Sequence, residues 1–86
     1  MQTSEVLITY TCLYVKHVRQ HGYQGSLYSF VKKFGENSHI CVLANKVTQE
    51  LVKRHYIQRM SRTTYRWNNN GKVLLIHDIK TIIQSI

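Results

Sequence analysis

SHICVLANKVTQELVKRHYIQRMSRTTYRWNNNG, Ser38 to Gly71, decides how this chain folds. Its first half reads as a helix. Ser38 is a residue type that caps helix N-termini, and Ile40, Leu43, Ala44, Val47 and Leu51 recur at the three-and-four spacing of one apolar stripe, up to about Arg54. The opposite face of that helix carries Val42, Asn45, Lys46, Gln49 and Lys53, polar and basic with Glu50 only at its flank. The second half reads as extended. Tyr56 to Met60 and Thr63 to Trp67 are rich in β-branched and aromatic residues, and the polar break at Ser61-Arg62 leaves room only for a tight turn. Asn68-Asn69-Asn70-Gly71 then stops the second strand. Helix, strand, turn and strand follow in order.

Upstream, two further helices are expected. Thr3 or Ser4 caps the first, with Glu5 near its positive end. Val6, Leu7, Tyr10, Leu13, Tyr14, His17 and Val18 supply its buried stripe, and Gly22 ends it. After Gly25, Ser26 caps a short second helix with Leu27, Phe30, Val31 and Phe34 on its apolar face, Lys32 and Lys33 outside it and Gly35 as its stop. Only Glu36 and Asn37 then precede Ser38, so two helices meet across a short Gly-containing turn, the signature of a helix-turn-helix.

Downstream, two readings compete. Lys72 to His77 fits a third strand after an Asn-Gly turn. Val73, Ile76, Ile79, Ile83 and Ile86 fit a helix, and the helix is preferred, from about Asn69 to Ser85 with one of the asparagines as its cap. Its apolar face is wider than one small domain covers. Ile76, Ile79, Ile83 and Ile86 are therefore expected at a contact with a second copy of the chain, giving a homodimer.

Charge narrows the partner. Twelve Lys and Arg against four Asp and Glu give 86 residues a net charge of +8. The basic residues do not form a run but are interleaved with apolar and aromatic ones, as on a folded basic face. Such a face calls for a polyanion. The 43% apolar content is that of a folded single domain of residues 1–86 rather than a disordered tail. No stretch is long enough to span a membrane and no leader pattern opens the chain. Cys12 and Cys41 make no disulfide framework. A cytoplasmic protein that makes no use of a membrane is the expectation.

At this point the order of elements resembles the winged helix-turn-helix superfamily, particularly its small PadR-like and MarR-like regulators. In those, the third helix runs into a phrase of the form L-x-x-x-G-hydrophobic-I-x-R. A wing follows, and then Y-R-L-T-x-x-G opens a C-terminal helix. Leu51 to Arg59 is similar to the first phrase and Thr64 to Gly71 to the second. His55 stands where the family has a glycine, often at positive φ. Trp67 and Asn68 replace Leu-Thr. The resemblance implies a mostly α fold with a short β-hairpin wing (α+β) and a C-terminal helix, and a partner of double-stranded DNA. It implies that the third helix reads bases through Val42, Asn45, Lys46, Gln49 and Lys53. Lys32, Lys33, Ser38, His39, Arg59, Arg62 and Arg66 would contact phosphates. The function implied is a sequence-specific, homodimeric transcription regulator. A sequence-tolerant architectural or plasmid-partition DNA-binding protein fits the charge equally well. A winged-helix module that docks an acidic protein fits the fold.

Other chemistries find little footing. His17 and His21 lie four apart on a helix and His39-x-Cys41 offers a second pair of ligands. No third or fourth ligand stands at metal-site spacing, so no metal or other cofactor is expected. The acidic residues are scattered, and no phosphate loop, nucleophile elbow or carboxylate pair is present. The chain is read as a binder rather than an enzyme, with no recognisable small-molecule effector pocket.

Overall fold

The structure, a computed structural model, describes residues 3–86. Four helices and a small three-stranded antiparallel sheet follow in the order α1 (Thr3–His21), β1 (Tyr23–Gln24), α2 (Leu27–Lys33), α3 (Ser38–Lys53), β2 (Ile57–Arg59), β3 (Tyr65–Trp67) and α4 (Ile76–Ser85). The sheet order is β1-β3-β2. Ile57 stands opposite Trp67 and Arg59 opposite Tyr65 across the hairpin, while Tyr23 stands opposite Arg66 on the other side of β3. Among the described residues no helix is long and apolar enough to cross a membrane.

α1 contains both Thr3 and Ser4 and stops where its glycine allows. Gly22 takes φ +80° and donates its N–H to the Val18 carbonyl at 2.7 Å, a left-handed conformation that costs glycine nothing. The buried face of α1 is Leu7, Thr11, Tyr14, Val15 and Val18. Leu13 and His17, expected in the stripe, are exposed. Thr11 and Val15 take the interior instead, because α1 is covered on one side by α2 and α3 and on another by α4.

α2 begins at the expected cap: Ser26 Oγ accepts the N–H of Ser29 at 3.1 Å. Leu27, Phe30 and Val31 are buried, whereas Phe34, expected on that face, sits past the helix end and is 60% exposed. Gly35 at φ +79° closes the helix, its N–H donating to the Lys32 carbonyl. At α3 the cap is one residue earlier than expected. Asn37 Oδ1 accepts the N–H of Ile40 at 3.0 Å and Ser38 is the first helical residue. Asn and Ser cap about equally well, and here Asn37 holds the extended conformation a cap requires (φ −71°, ψ 166°).

Buried polar groups lock the helices together. Thr48 is 1% exposed; its Oγ1 accepts the Leu27 N–H at 3.1 Å and donates to the Ala44 carbonyl at 3.0 Å. The first turn of α2 is thereby pinned to the middle of α3. Tyr14 Oη donates to the Gly25 carbonyl at 2.6 Å, and burial raises its phenol well above its ordinary pKa. Tyr10 Oη donates to Glu36 Oε1 at 2.7 Å, fastening α1 to the α2–α3 turn. That bond to a carboxylate, with some burial, raises the Tyr10 phenol too. Around these ties pack Leu7, Val18, Leu27, Val31, Val47, Leu51 and Ile57, each almost fully buried. Each contributes about 1.5–3 kcal/mol by leaving water.

The end of the chain departs furthest from expectation. α4 is a helix and not a strand, but it starts at Ile76 rather than near Asn69. The asparagines are occupied elsewhere. His55 takes φ +66° after α3, and its carbonyl accepts from both Asn68 Nδ2 (3.2 Å) and Asn70 Nδ2 (3.0 Å). The positive φ expected at this position is present, with a histidine in it. α4 is capped instead by Asp78, whose Oδ2 accepts the Leu75 N–H at 2.9 Å. Ile79, Ile82 and Ile83 pack into the core beside α1. Ile79 and Ile83 are therefore largely spent within the chain, at 4% and 8% exposed, and leave little surface for the contact between copies expected of them. Ile76 is exposed and Ile86 half-buried.

Candidate nucleic-acid interface

α3 presents the face its spacing requires. Val42, Asn45, Lys46, Gln49 and Lys53 are all exposed, while Ile40, Ala44, Val47 and Leu51 are buried behind them. Glu50, at the flank, is half-buried and paired with Arg54 at 3.1 Å, so its charge is locally answered.

The hairpin stands beside this face. Met60 and Ser61 N–H groups both point to the Thr64 carbonyl (2.8 and 3.2 Å) and close the turn. Arg59 reinforces it: Nε donates to the Ser61 carbonyl at 3.1 Å and an Nη to the Arg62 carbonyl at 3.3 Å. The Arg59 guanidinium thus spends part of its donor set holding the tip in shape and keeps its charge on the surface. The tip also leans on the α1–α2 loop, where a Cβ built on Gly25 would lie 3.7 Å from the Thr63 carbonyl oxygen.

Between α3, the hairpin and the first turn of α2 lies an open cleft of about 380 Å³. Asn45 and Gln49 line it from α3, Arg59, Arg62, Thr63 and Tyr65 from the hairpin, and Ser26, Tyr28 and Ser29 from α2. No carboxylate is among them. Amide groups that both donate and accept stand here with guanidinium charges, of which Arg59 is held in place, a combination that pairs with base edges and phosphates.

Not every expected residue joins this cleft. Lys46 and Lys53 line instead a separate groove shared with Gln49, Glu50 and Ile86. Val42, Ser38 and His39 are exposed on the first turns of α3, and Lys32 and Lys33 on the last turn of α2, where Lys32 Nζ sits 5.7 Å from the Tyr28 ring centre. Arg66 is on the wrong side. Residues alternate faces along a strand, and Arg59, Tyr65 and the cleft share one face of the sheet while Arg66 stands in the row of Tyr23 and Gln58 on the other.

Ser26, Tyr28 and Ser29 join the cleft although of these only Ser26 is expected to have a role, and that as a helix cap. The available signal was Ser26-Leu27-Tyr28-Ser29 itself: with Leu27 in the core, its neighbours at the helix start must face outward. Of the two possible ligand pairs, His17 and His21 stack their rings 5.9 Å apart at 16°. His39 is exposed whereas Cys41 is buried with Sγ near the Glu36 carbonyl, so that pair does not converge. Among the described residues no three His, Cys, Asp or Glu side chains gather as a metal site would need.

Comparison with protein-family models, with curated proteins and with solved structures finds no match to this chain.

Proposed function

We propose that this chain is a small winged helix-turn-helix DNA-binding protein, a non-enzymatic transcription regulator that acts as a homodimer in the cytoplasm. The observation that carries the reading is the convergence of Asn45 and Gln49 with Arg59 and Arg62 on one open cleft free of carboxylates. On this reading α3 enters the major groove. Asn45 and Gln49 address adenine N6 and N7, Lys46 reaches guanine, and Val42 meets a thymine methyl. The hairpin is the wing, and Arg59 and Arg62 lie along the phosphates. The net charge of +8 supports it, as does the pair of helices α2 and α3 across the Gly35 turn.

On this reading the two copies pair through Ile76 and its surroundings, a part of the surface the sequence pattern picks out. Val73, Leu75 and Ile76 are each more than half exposed just before and at the start of α4. Ile76 also borders a groove between α1 and α4 lined by Val15, Leu74 and Ile79. Exposed apolar side chains gathered in this way call for a partner surface, and a second copy would set two α3 helices against successive major grooves.

Selection from a random pool of duplexes tests the reading. A two-fold symmetric site with half-sites about 10–10.5 base pairs apart is the expected product. Binding without enrichment would favour the sequence-tolerant architectural or partition role. Absence of binding at low salt would overturn the DNA reading.

A further inference from the structure

The hairpin has two faces, and the face turned away from the cleft is also built of groups that bind nucleic acid. Along β2 and β3 the residues alternate: Arg59 and Tyr65 face the cleft, while Gln58 and Arg66 face outward in register with Tyr23 of β1. On that outer side lies a second cleft of about 560 Å³, bordered by Tyr23, Met60, Thr64 and Arg66, with Arg19 and Trp67 at its edge. That volume is within the roughly 300–1,000 Å³ of small-ligand clefts. Tyr23 is 66% exposed and Met60 51%, unusually open for side chains of their kind. The Arg19 guanidinium stands 5.3 Å from the centre of the Trp67 ring, a cation–π contact that holds its charge at the rim. None of the four acidic residues of the chain borders this cleft.

An exposed aromatic ring, an exposed thioether and two arginines, Arg19 held against Trp67 and Arg66 on the surface, form a platform for stacked bases with cations for the backbone between them. That is the chemistry of single-stranded nucleic-acid binding, in which the π-face of any base stacks on an aromatic side chain. Duplex DNA hides those faces, so the platform would be idle on a paired helix. We infer that the outer face of the hairpin binds an unpaired DNA strand, so that the preferred ligand is a duplex continuing into a single-stranded segment. The inference rests on the proposed DNA reading for its duplex half only. The paired part lies against α3 and the cleft-facing side of the hairpin, and the unpaired part crosses to Tyr23 and Met60 on the outer side.

Fluorescence anisotropy on a blunt duplex, the same duplex with a short oligothymidine extension, the same length of abasic extension, and free oligothymidine tests it. The oligothymidine extension is expected to tighten binding about tenfold over the blunt duplex, the effect of one or two stacked bases. The abasic extension, which adds phosphates without bases, gives little of that gain. Tyr23→Ala removes most of the gain and leaves blunt-duplex affinity unchanged, whereas Tyr23→Phe keeps it. Equal gains from the abasic and oligothymidine extensions, or a gain indifferent to Tyr23→Ala, would overturn the inference. Tyr23-dependent binding of free oligothymidine with no binding of the blunt duplex would uphold the platform and instead remove the groove reading of α3.

Discussion

The α3–hairpin side and the α1–α4 side of this protein were built under different rules. On the first, short-range signals set the structure: caps one or two residues from the helix starts, a glycine at φ +79°, and a hairpin closed by its own Arg59. On the second, partners distant in sequence decide. Asn68 and Asn70 are bound to the His55 carbonyl rather than to α4, and the isoleucines of α4 pack beside α1. Local determination leaves the polar outer face of α3 unengaged and open to a ligand. Long-range determination consumes side chains that, by pattern alone, look available.

The comparison can be pressed hardest on the open face. Replacing Asn45 and Gln49 together by Ala removes the two amides proposed to read bases, worth about 1–3 kcal/mol each in discrimination. Specificity for a selected site over a scrambled duplex is expected to collapse, with the melting temperature unchanged because both residues are exposed. Binding competition and thermal melts on one preparation check both halves.

Next in size is a contrast within α4. Ile79→Ala should cost about 2–5 kcal/mol of unfolding free energy, as a buried large-to-small change does. Ile76→Ala, at an exposed position, should stay within about 0.5 kcal/mol while weakening self-association. Urea titration with sedimentation of each variant checks this, and a reversal of the two would return Ile79 to the dimer contact.

Thr48→Val tests the tie between the helices. It leaves the Leu27 N–H buried without a partner, so a loss of about 1–3 kcal/mol in urea unfolding is expected. Thr11 makes the opposite case: its Oγ1 is fully buried with no hydrogen-bond partner. Thr11→Val should therefore raise stability, by about 1 kcal/mol or less, seen as a small increase in the urea midpoint.

Much of the fold was legible because the sequence repeats its signals. The apolar stripe of α3, the Ser26 cap and the glycine stops each follow from residue type and spacing, and His55 stands where a left-handed residue is needed. Three things were not legible. β1 is two residues long, carries no periodicity of its own, and exists only because β3 pairs with it. The cap of α3 falls on Asn37 rather than Ser38 because adjacent residues offer nearly equal caps and the backbone selects between them. The asparagines do not cap α4 because Asn68 and Asn70 are bound to the His55 carbonyl, a pairing no local window contains.

The same divide holds for the site. Asn45, Gln49, Arg59 and Arg62 were placed together by pattern and are found around one cleft. Arg66 was grouped with them, yet it lies on the other face, because facing is set by the register of Tyr65 against Arg59. A shift of one residue in that register would have exchanged the two faces.

The central claim is that the α3–hairpin cleft, and not the net charge at large, engages DNA. The direct measurement is the dependence of duplex affinity on salt concentration for the parent chain and for two charge-matched double variants: Arg59→Ala with Arg62→Ala on the hairpin, and Lys16→Ala with Lys80→Ala on α1 and α4. With six phosphate contacts the parent log–log slope should be about −5. The hairpin pair should bring it to about −3.6 and the α1–α4 pair should leave it unchanged. Equal losses from the two pairs would contradict the claim and reduce the binding to diffuse attraction between a cation and a polyanion.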